Sequence, residues 1–179
     1  MKLLLHICCA NCAIFPVKTL RENNHSVTGF FYNPNIHPYT EYLKRLEAVR
    51  EYAKATELDV FFQGEYGLED FLAQVAQDPE TRCSYCYETR LRTTAEFAAA
   101  NGYDAFTTSL LASPYQDHDA ILAFGQELGN LFNITFLYED FRIGWQEATQ
   151  TSLAMGLYRQ AYCGCIYSEK DCYYPIRTN

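Results

Sequence analysis

The sequence has no glycine-rich phosphate loop. Neither GxGxxG nor GxxxxGKS occurs in its 179 residues, so a nucleotide or flavin cradled by such a loop is not expected. It has no long apolar run. Met1-Lys2 is followed by only three leucines before His6, too few for an export signal or a membrane span. A cytoplasmic location without a membrane partner is therefore expected. Basic residues are in deficit, with a net charge of −8. There is no low-complexity tract, and 49% of residues are apolar, which excludes disorder. Covalent staples are not needed either, since a chain of ~150 residues buries roughly 70% of its unfolded surface without them. Yet there are eight cysteines. In a reducing compartment that abundance argues for metal or redox chemistry.

The negative charge is unevenly spread. Residues 57–80 hold seven acids and no Lys or Arg, whereas residues 1–56 hold seven bases against four acids. Arg82, Arg90 and Arg92 stand against Glu88 in residues 82–94. A small basic surface, and hence a nucleic-acid partner, stays compatible with the composition.

Strand and helix patterns alternate along the chain. Apolar, β-branched or aromatic runs mark strands at Leu3–Ile7, Val27–Tyr32, Leu58–Phe62, Ala105–Ser109 and Ile134–Tyr138. Between them the spacing predicts helices over Ile14–Asn23, with Pro16 in the first turn, and over Glu41–Ala55, capped by Thr40 and with Leu43, Leu46, Val49, Arg50 and Ala53 on one stripe. Further helices are predicted over Leu68–Gln77, Tyr85–Asn101, Asp119–Leu131 and Trp145–Met155. Cys8–Cys12 reads as a loop, and the segment after Met155 as an irregular Cys-rich tail. The pattern predicts one α/β domain over residues 1–179. It is three-layered and Rossmann-like, with a mostly parallel sheet of about five strands flanked by helices. Ligands of such sheets lie beyond the carboxyl ends of the strands. Cys8–Cys12, Asn33–Tyr39 and Ser109–Asp119 all fall there.

The cysteines form three groups. Cys8, Cys9 and Cys12 leave the first strand together, an arrangement uncommon for thiols that only pack. Cys83 and Cys86 form a CxxC at a helix start, where the dipole favours thiolate, the metal-binding form. Spacing alone does not separate a four-thiolate zinc staple from an iron–sulfur site or a thioredoxin-like pair. Cys163 and Cys165 flank Gly164, whose freedom permits the bend that would bring both sulfurs together. A strained disulfide of that kind would be labile and redox-active. Cys172 has no partner at useful spacing. A radical-SAM loop is excluded, because Phe15 stands where its third cysteine would be.

The segments His6-Ile7-Cys8-Cys9-Ala10-Asn11-Cys12, Tyr32–Pro38, Arg82-Cys83-Ser84-Tyr85-Cys86-Tyr87, Thr107–Tyr115 and Tyr162-Cys163-Gly164-Cys165, in this order, resemble those of the QueH-type epoxyqueuosine reductases. The resemblance implies an α/β, cobalamin-independent oxidoreductase that converts epoxyqueuosine to queuosine at the wobble position of tRNA. It implies that Cys8, Cys9, Cys83 and Cys86 hold a 4Fe-4S cluster, that Cys163 and Cys165 are a redox-active pair, and that Cys12 helps hold an additional mononuclear iron. Asn11 stands where that family commonly has proline, which touches no ligand.

Removing an epoxide oxygen as water takes two electrons, two protons and a proton donor. Asp117 and His118, on a loop at the expected sheet edge, are the candidate acids. An external low-potential electron donor is implied. Arg82, Arg90 and Arg92 are candidates for phosphate contacts, and Tyr85 and Tyr115 for stacking an extruded base. Two other readings remain at this point: a zinc-stapled nucleic-acid-binding module, and an iron–sulfur or dithiol oxidoreductase acting on a small molecule. A thiolating or adenylating enzyme is disfavoured, because Cys8–Cys12 occupies the place of its SGGxDS phosphate loop.

Overall fold

The computed structural model describes residues 1–174. Five strands, β1 (Lys2–His6), β2 (Ser26–Phe31), β3 (Val60–Phe62), β4 (Ala105–Thr108) and β5 (Thr135–Phe136), form one parallel sheet in the order β3-β2-β1-β4-β5. Strand β1 is central, and Leu3, Leu4 and Leu5 are fully buried. A run that is apolar at every position, not alternating, is what burial on both faces requires. The helices are α1 (Ala10–Glu22), α2 (Tyr39–Ala55), α3 (Leu68–Val75), α4 (Arg82–Ala100), α5 (His118–Phe132), α6 (Trp145–Ala154) and α7 (Ile166–Tyr173).

Two cores flank the sheet. One gathers α4 and α5 around Phe30 and Phe106. The other gathers α1, α2 and α6 around Leu5, Ile7 and Phe31. Helix α5 approaches β5 closely. A Cβ on Gly125 would lie 2.3 Å from the Phe136 ring, and one on Gly129 2.7 Å from the carbonyl of Ile134.

The strand order reverses at β1. The chain runs outward through β2 and β3, then crosses back to β4 on the other side. The carboxyl ends of β1 and β4 therefore frame the crevice where parallel sheets bind ligands. A hydrogen bond of 3.0 Å from the Cys8 N–H to Ser109 Oγ ties the two exits together.

Several expected boundaries move. Helix α1 begins at Ala10, not Ile14, because the sulfur of Cys9 takes the N-cap role and accepts from the Cys12 N–H at 3.4 Å. Cys12 is thus on a helical turn, and Pro16 sits inside the helix. Helix α2 starts at Tyr39, and Thr40 does not cap it. The buried face of α2 is Glu41, Tyr42, Arg45, Ala48, Val49 and Tyr52. The stripe expected through Leu43 and Arg50 is displaced from it, since both lie toward solvent. The tail is not wholly irregular: Ile166–Tyr173 is helical, and Arg82 of α4 pairs with Asp171 of α7 at 2.9 Å.

Candidate active site

The exit of β1 brings three thiols together. The sulfurs of Cys8, Cys9 and Cys12 all lie within 4.8 Å of one another, and all three residues are buried. Three thiols so close cannot ionise independently, because each new charge opposes the next. Of the three, Cys9 is the one shifted toward thiolate. Hydrogen bonds from Cys12 and Cys8, with the Arg45 guanidinium nearby, hold its thiol well below the usual range against the opposing effect of burial. Cys12 is pushed well up by its bonds with Cys8 and Cys9 and by burial. Cys8 also rises: the bond from Cys12 lowers it, but the bond with Cys9 and burial outweigh that. Gln160 adds a further donor, with Nε2 at 2.9 Å from the Cys9 sulfur and 3.9 Å from that of Cys12. A compact, thiol-only set of this kind suits a soft, thiophilic metal centre.

The tail carries Cys163 and Cys165 on either side of Gly164. Arg45, only 1% exposed, fastens their loop. Its Nε donates to Glu41 Oε1 at 2.7 Å, its Nη1 to the Cys163 carbonyl at 2.8 Å and its Nη2 to the Tyr162 carbonyl at 2.9 Å. Tyr158 donates to the second oxygen of Glu41. From the β2 side the His37 N–H donates to the Gly164 carbonyl at 2.7 Å, and the Tyr162 hydroxyl to the His37 carbonyl at 2.6 Å. Gly164 has φ +150°, and a Cβ there would lie 3.2 Å from Arg45 Nη1, so glycine serves both the bend and the close approach.

Cys83 and Cys86 occupy the first turns of α4. Burial pushes both thiols up, and the neighbouring Cys163 and Cys165 push them further. Among the described residues, no set of three or more metal-ligating groups that includes Cys83 or Cys86 lies within 4.8 Å of mutual distance; the compact triad is near the N-terminus of the chain, not in its Cys-rich tail.

A cavity of about 310 Å³ is lined by thiols of both regions, Cys8 and Cys12 from the triad and Cys163 from the tail. Arg45, Arg90, Gln116 and Gln160 bring polar groups to its wall, and Tyr115 and Trp145 bring aromatic surface. Arg90 is 3% exposed and donates from Nε and Nη2 to Asn35 Oδ1 at 2.9 and 2.7 Å. Among the described residues no carboxylate pairs with it. A buried cation without a carboxylate needs other negative charge nearby, which ionised thiols can supply.

The remaining expected residues are placed as follows. Asp117 caps α5, its Oδ1 accepting from the Ala120 N–H at 3.0 Å. His118 is buried, with Nδ1 3.3 Å from the Tyr138 hydroxyl and Nε2 3.4 Å from the Ser113 carbonyl. Neither lines the cavity. Arg90 is not on a surface that phosphates could reach, because helix α4 turns it into the interior. Arg92 is on the surface, paired with Glu88 at 2.9 Å. Arg82 is engaged by Asp171, and Tyr85 packs near Phe71 with ring centroids 6.0 Å apart. Tyr115 is 83% exposed at the cavity mouth, edge-on to Trp145 at 6.2 Å. Sequence reasoning missed Arg45, Gln116, Gln160 and Trp145. Only Arg45 had a local signal, the i,i+4 spacing from Glu41.

A family model described as Epoxyqueuosine reductase QueH matches residues 3–171. The chain is 36% identical over 170 residues to the protein named Epoxyqueuosine reductase QueH from Dehalococcoides mccartyi, covering 95% of this chain and 93% of that one. It is 35% identical over 175 residues to the protein of the same name from Thermotoga maritima, covering 92% and 88%. Among solved structures it is similar to a U34-tRNA thiolase, NcsA, from Methanococcus maripaludis with its 4Fe-4S cluster. The TM-score is 0.63 at 13% identity, over 96% of this chain and 64% of that one. It is also similar to a predicted subunit of tRNA methyltransferase from Methanocaldococcus jannaschii, with a TM-score of 0.53 at 14% identity, over 84% and 74%. At these identities the solved structures bear on the fold, which they share.

Proposed function

The chain belongs to the QueH family of epoxyqueuosine reductases, and from that premise we propose that it reduces epoxyqueuosine to queuosine in tRNA within the cavity lined by both thiol regions. The observation that carries this reading is that Cys8 and Cys12 of the triad and Cys163 of the tail line one cavity. The substrate is a base at the wobble position, extruded from the anticodon stack. A closed zinc staple is the weaker reading, because Cys8 and Cys12 line a cavity instead of being sealed off.

The residues fit an iron–sulfur cluster. The donors are thiols, Gln160 aims an N–H at one sulfur, and Arg90 supplies positive charge without a carboxylate partner. Cys8, Cys9, Cys83 and Cys86 would hold the 4Fe-4S cluster, and Cys12 an additional iron. When bound, the cluster supplies low-potential electrons one at a time, tuned by hydrogen bonds to its sulfurs.

The rest of the chemistry lies with the protein's own groups. Loss of the epoxide oxygen as water consumes two electrons and two protons. Oxidation of the Cys163 and Cys165 thiols to one disulfide releases two of each, so the pair balances a single turnover. An external low-potential donor then restores the thiols. Arg45 holds Cys163 at the cavity through the carbonyls of Tyr162 and Cys163. Tyr115 and Trp145 offer the flat surface against which a base can stack. The acid expected at Asp117 or His118 is not carried further, since neither faces the cavity.

The test is an anaerobic assay with iron-replete protein, tRNA carrying epoxyqueuosine and a low-potential reductant, read as queuosine in the nucleoside digest. Queuosine is expected. Its absence with fully loaded protein would refute the proposal.

A further inference from the structure

Gln116 is held between three parts of the fold. It follows the turn after β4, it meets Tyr87 of α4, and it reaches Cys163 of the tail. The Tyr87 hydroxyl oxygen accepts from the Asp117 N–H at 3.1 Å. Its proton is therefore free to point elsewhere, and it is donated to Gln116 Oε1 at 3.1 Å. With the oxygen end of the amide so occupied, the nitrogen end faces the sulfur of Cys163, at 3.4 Å from Nε2. Turned the other way, the amide would bring Nε2 to a phenol oxygen that already accepts from the Asp117 N–H and would offer the sulfur no donor. The chain of bonds thus has one direction, from backbone N–H through phenol to amide to thiol.

We propose that Gln116 is a positioning residue that biases the Cys163–Cys165 pair toward its dithiol form, with Tyr87 fixing the direction of the Gln116 amide. The inference rests on the reading of Cys163 and Cys165 as the electron store. Both cysteines are free in this structure, so the bond is one made to the reduced pair. A thiol or thiolate sulfur carries more electron density than a disulfide sulfur and is the better acceptor of an N–H. Losing the donor therefore destabilises the dithiol more than the disulfide, and the pair becomes easier to oxidise. The oxidation is Cys163-SH plus Cys165-SH going to one S–S bond, two protons and two electrons. With oxidised glutathione as the acceptor, two molecules of reduced glutathione result.

The experiment equilibrates the full chain with glutathione buffers of graded ratio under anaerobic conditions. After acid quenching and alkylation, the 163–165 peptide is weighed in its reduced and oxidised forms. In Gln116→Leu and in Tyr87→Phe the equilibrium constant for disulfide formation is expected to rise by roughly threefold to tenfold, the effect of one net hydrogen bond. The double variant is expected to go no further than Gln116→Leu, because both changes act through the same bond. Should Gln116→Leu fail to fold, Tyr87→Phe, which keeps the ring in place, carries the comparison alone. Constants equal to the wild-type value, or full additivity in the double variant, overturn the inference and leave the function standing. If the wild-type pair forms no disulfide at any ratio, the electron-store reading falls and takes this inference with it.

Discussion

Replacing Arg45 with methionine should destabilise the protein by about 3–5 kcal/mol, the usual result of removing one partner of a buried ion pair. The side chains of Arg45 and Glu41 are 1% and 6% exposed and lie 2.7 Å apart, so water cannot replace the lost partner. Two carbonyls, of Tyr162 and Cys163, lose a charged donor as well, but they border the cavity and can be rehydrated from it. The surviving donation from Tyr158 to Glu41 keeps the loss from growing further. Against a total stability of about 5–15 kcal/mol, this is a large fraction. Substituting both residues by methionine should recover part of the loss, because an apolar pair of similar size carries no desolvated charge. Urea unfolding of the wild type, Arg45→Met and Glu41→Met/Arg45→Met, followed by the fluorescence of Trp145, the single tryptophan, measures all three. Faster amide exchange at His37, whose N–H is bonded to the Gly164 carbonyl, should accompany the single change. A loss below about 1 kcal/mol in Arg45→Met, or a double variant no more stable than Arg45→Met, would refute the reasoning.

Other outcomes are equally specific. Burial, with Arg90 adding to it, lowers the His37 pKa to about 4. The unfolded chain therefore takes up this proton first, so the His37 contribution is complete above about pH 6.5. It falls by up to about 1.4 kcal/mol per pH unit as the pH drops toward 4. His37→Gln should flatten that part of the urea-midpoint profile, and an unchanged slope would contradict it. Gly125→Ala gains about 1 kcal/mol of helix propensity but drives a methyl against the Phe136 ring, 2.3 Å from the ideal Cβ. A net loss of about 1–3 kcal/mol in thermal unfolding is expected, and a stabilised variant would show that β5 moves aside freely. Cys83→Ala should lose bound iron, while Cys163→Ala should keep its iron and its colour and lose turnover. Iron analysis showing loss from both would undo the division of roles.

The parallel sheet was legible because its strands are buried on both faces and separated by helical periodicity, and the site's position followed from the strand exits. What the sequence obscured came from tertiary effects. A cysteine does not announce itself as an N-cap, so the apolar pattern starts α1 at Ile14, four residues beyond its true start at Ala10 and past Cys12. The face of α2 was misjudged because it buries Glu41 and Arg45, which the apolar pattern counts as solvent-facing. Asp117 and His118 looked like acids at a sheet edge. Yet the backbone donors at the start of α5 claim the aspartate, and the turn after Ala112 with Tyr138 encloses the histidine. Gln116 and Gln160 are ordinary polar residues until two distant segments place sulfurs opposite them.

The loop that carries Cys163 and Cys165 is gripped almost wholly by its peptide groups. Arg45 takes the carbonyls of 162 and 163, the His37 amide takes that of 164, and the Ser168 hydroxyl accepts from the Gly164 N–H. Of the two thiols, Cys163 adds a single contact, from Gln116 Nε2 to its sulfur at 3.4 Å. Anchorage and reactivity are thus separable in this segment. Exchange of either sulfur for selenium should therefore leave the backbone of the loop where it sits, which makes residues 163 and 165 suitable positions at which to retune the two-electron chemistry on the same scaffold.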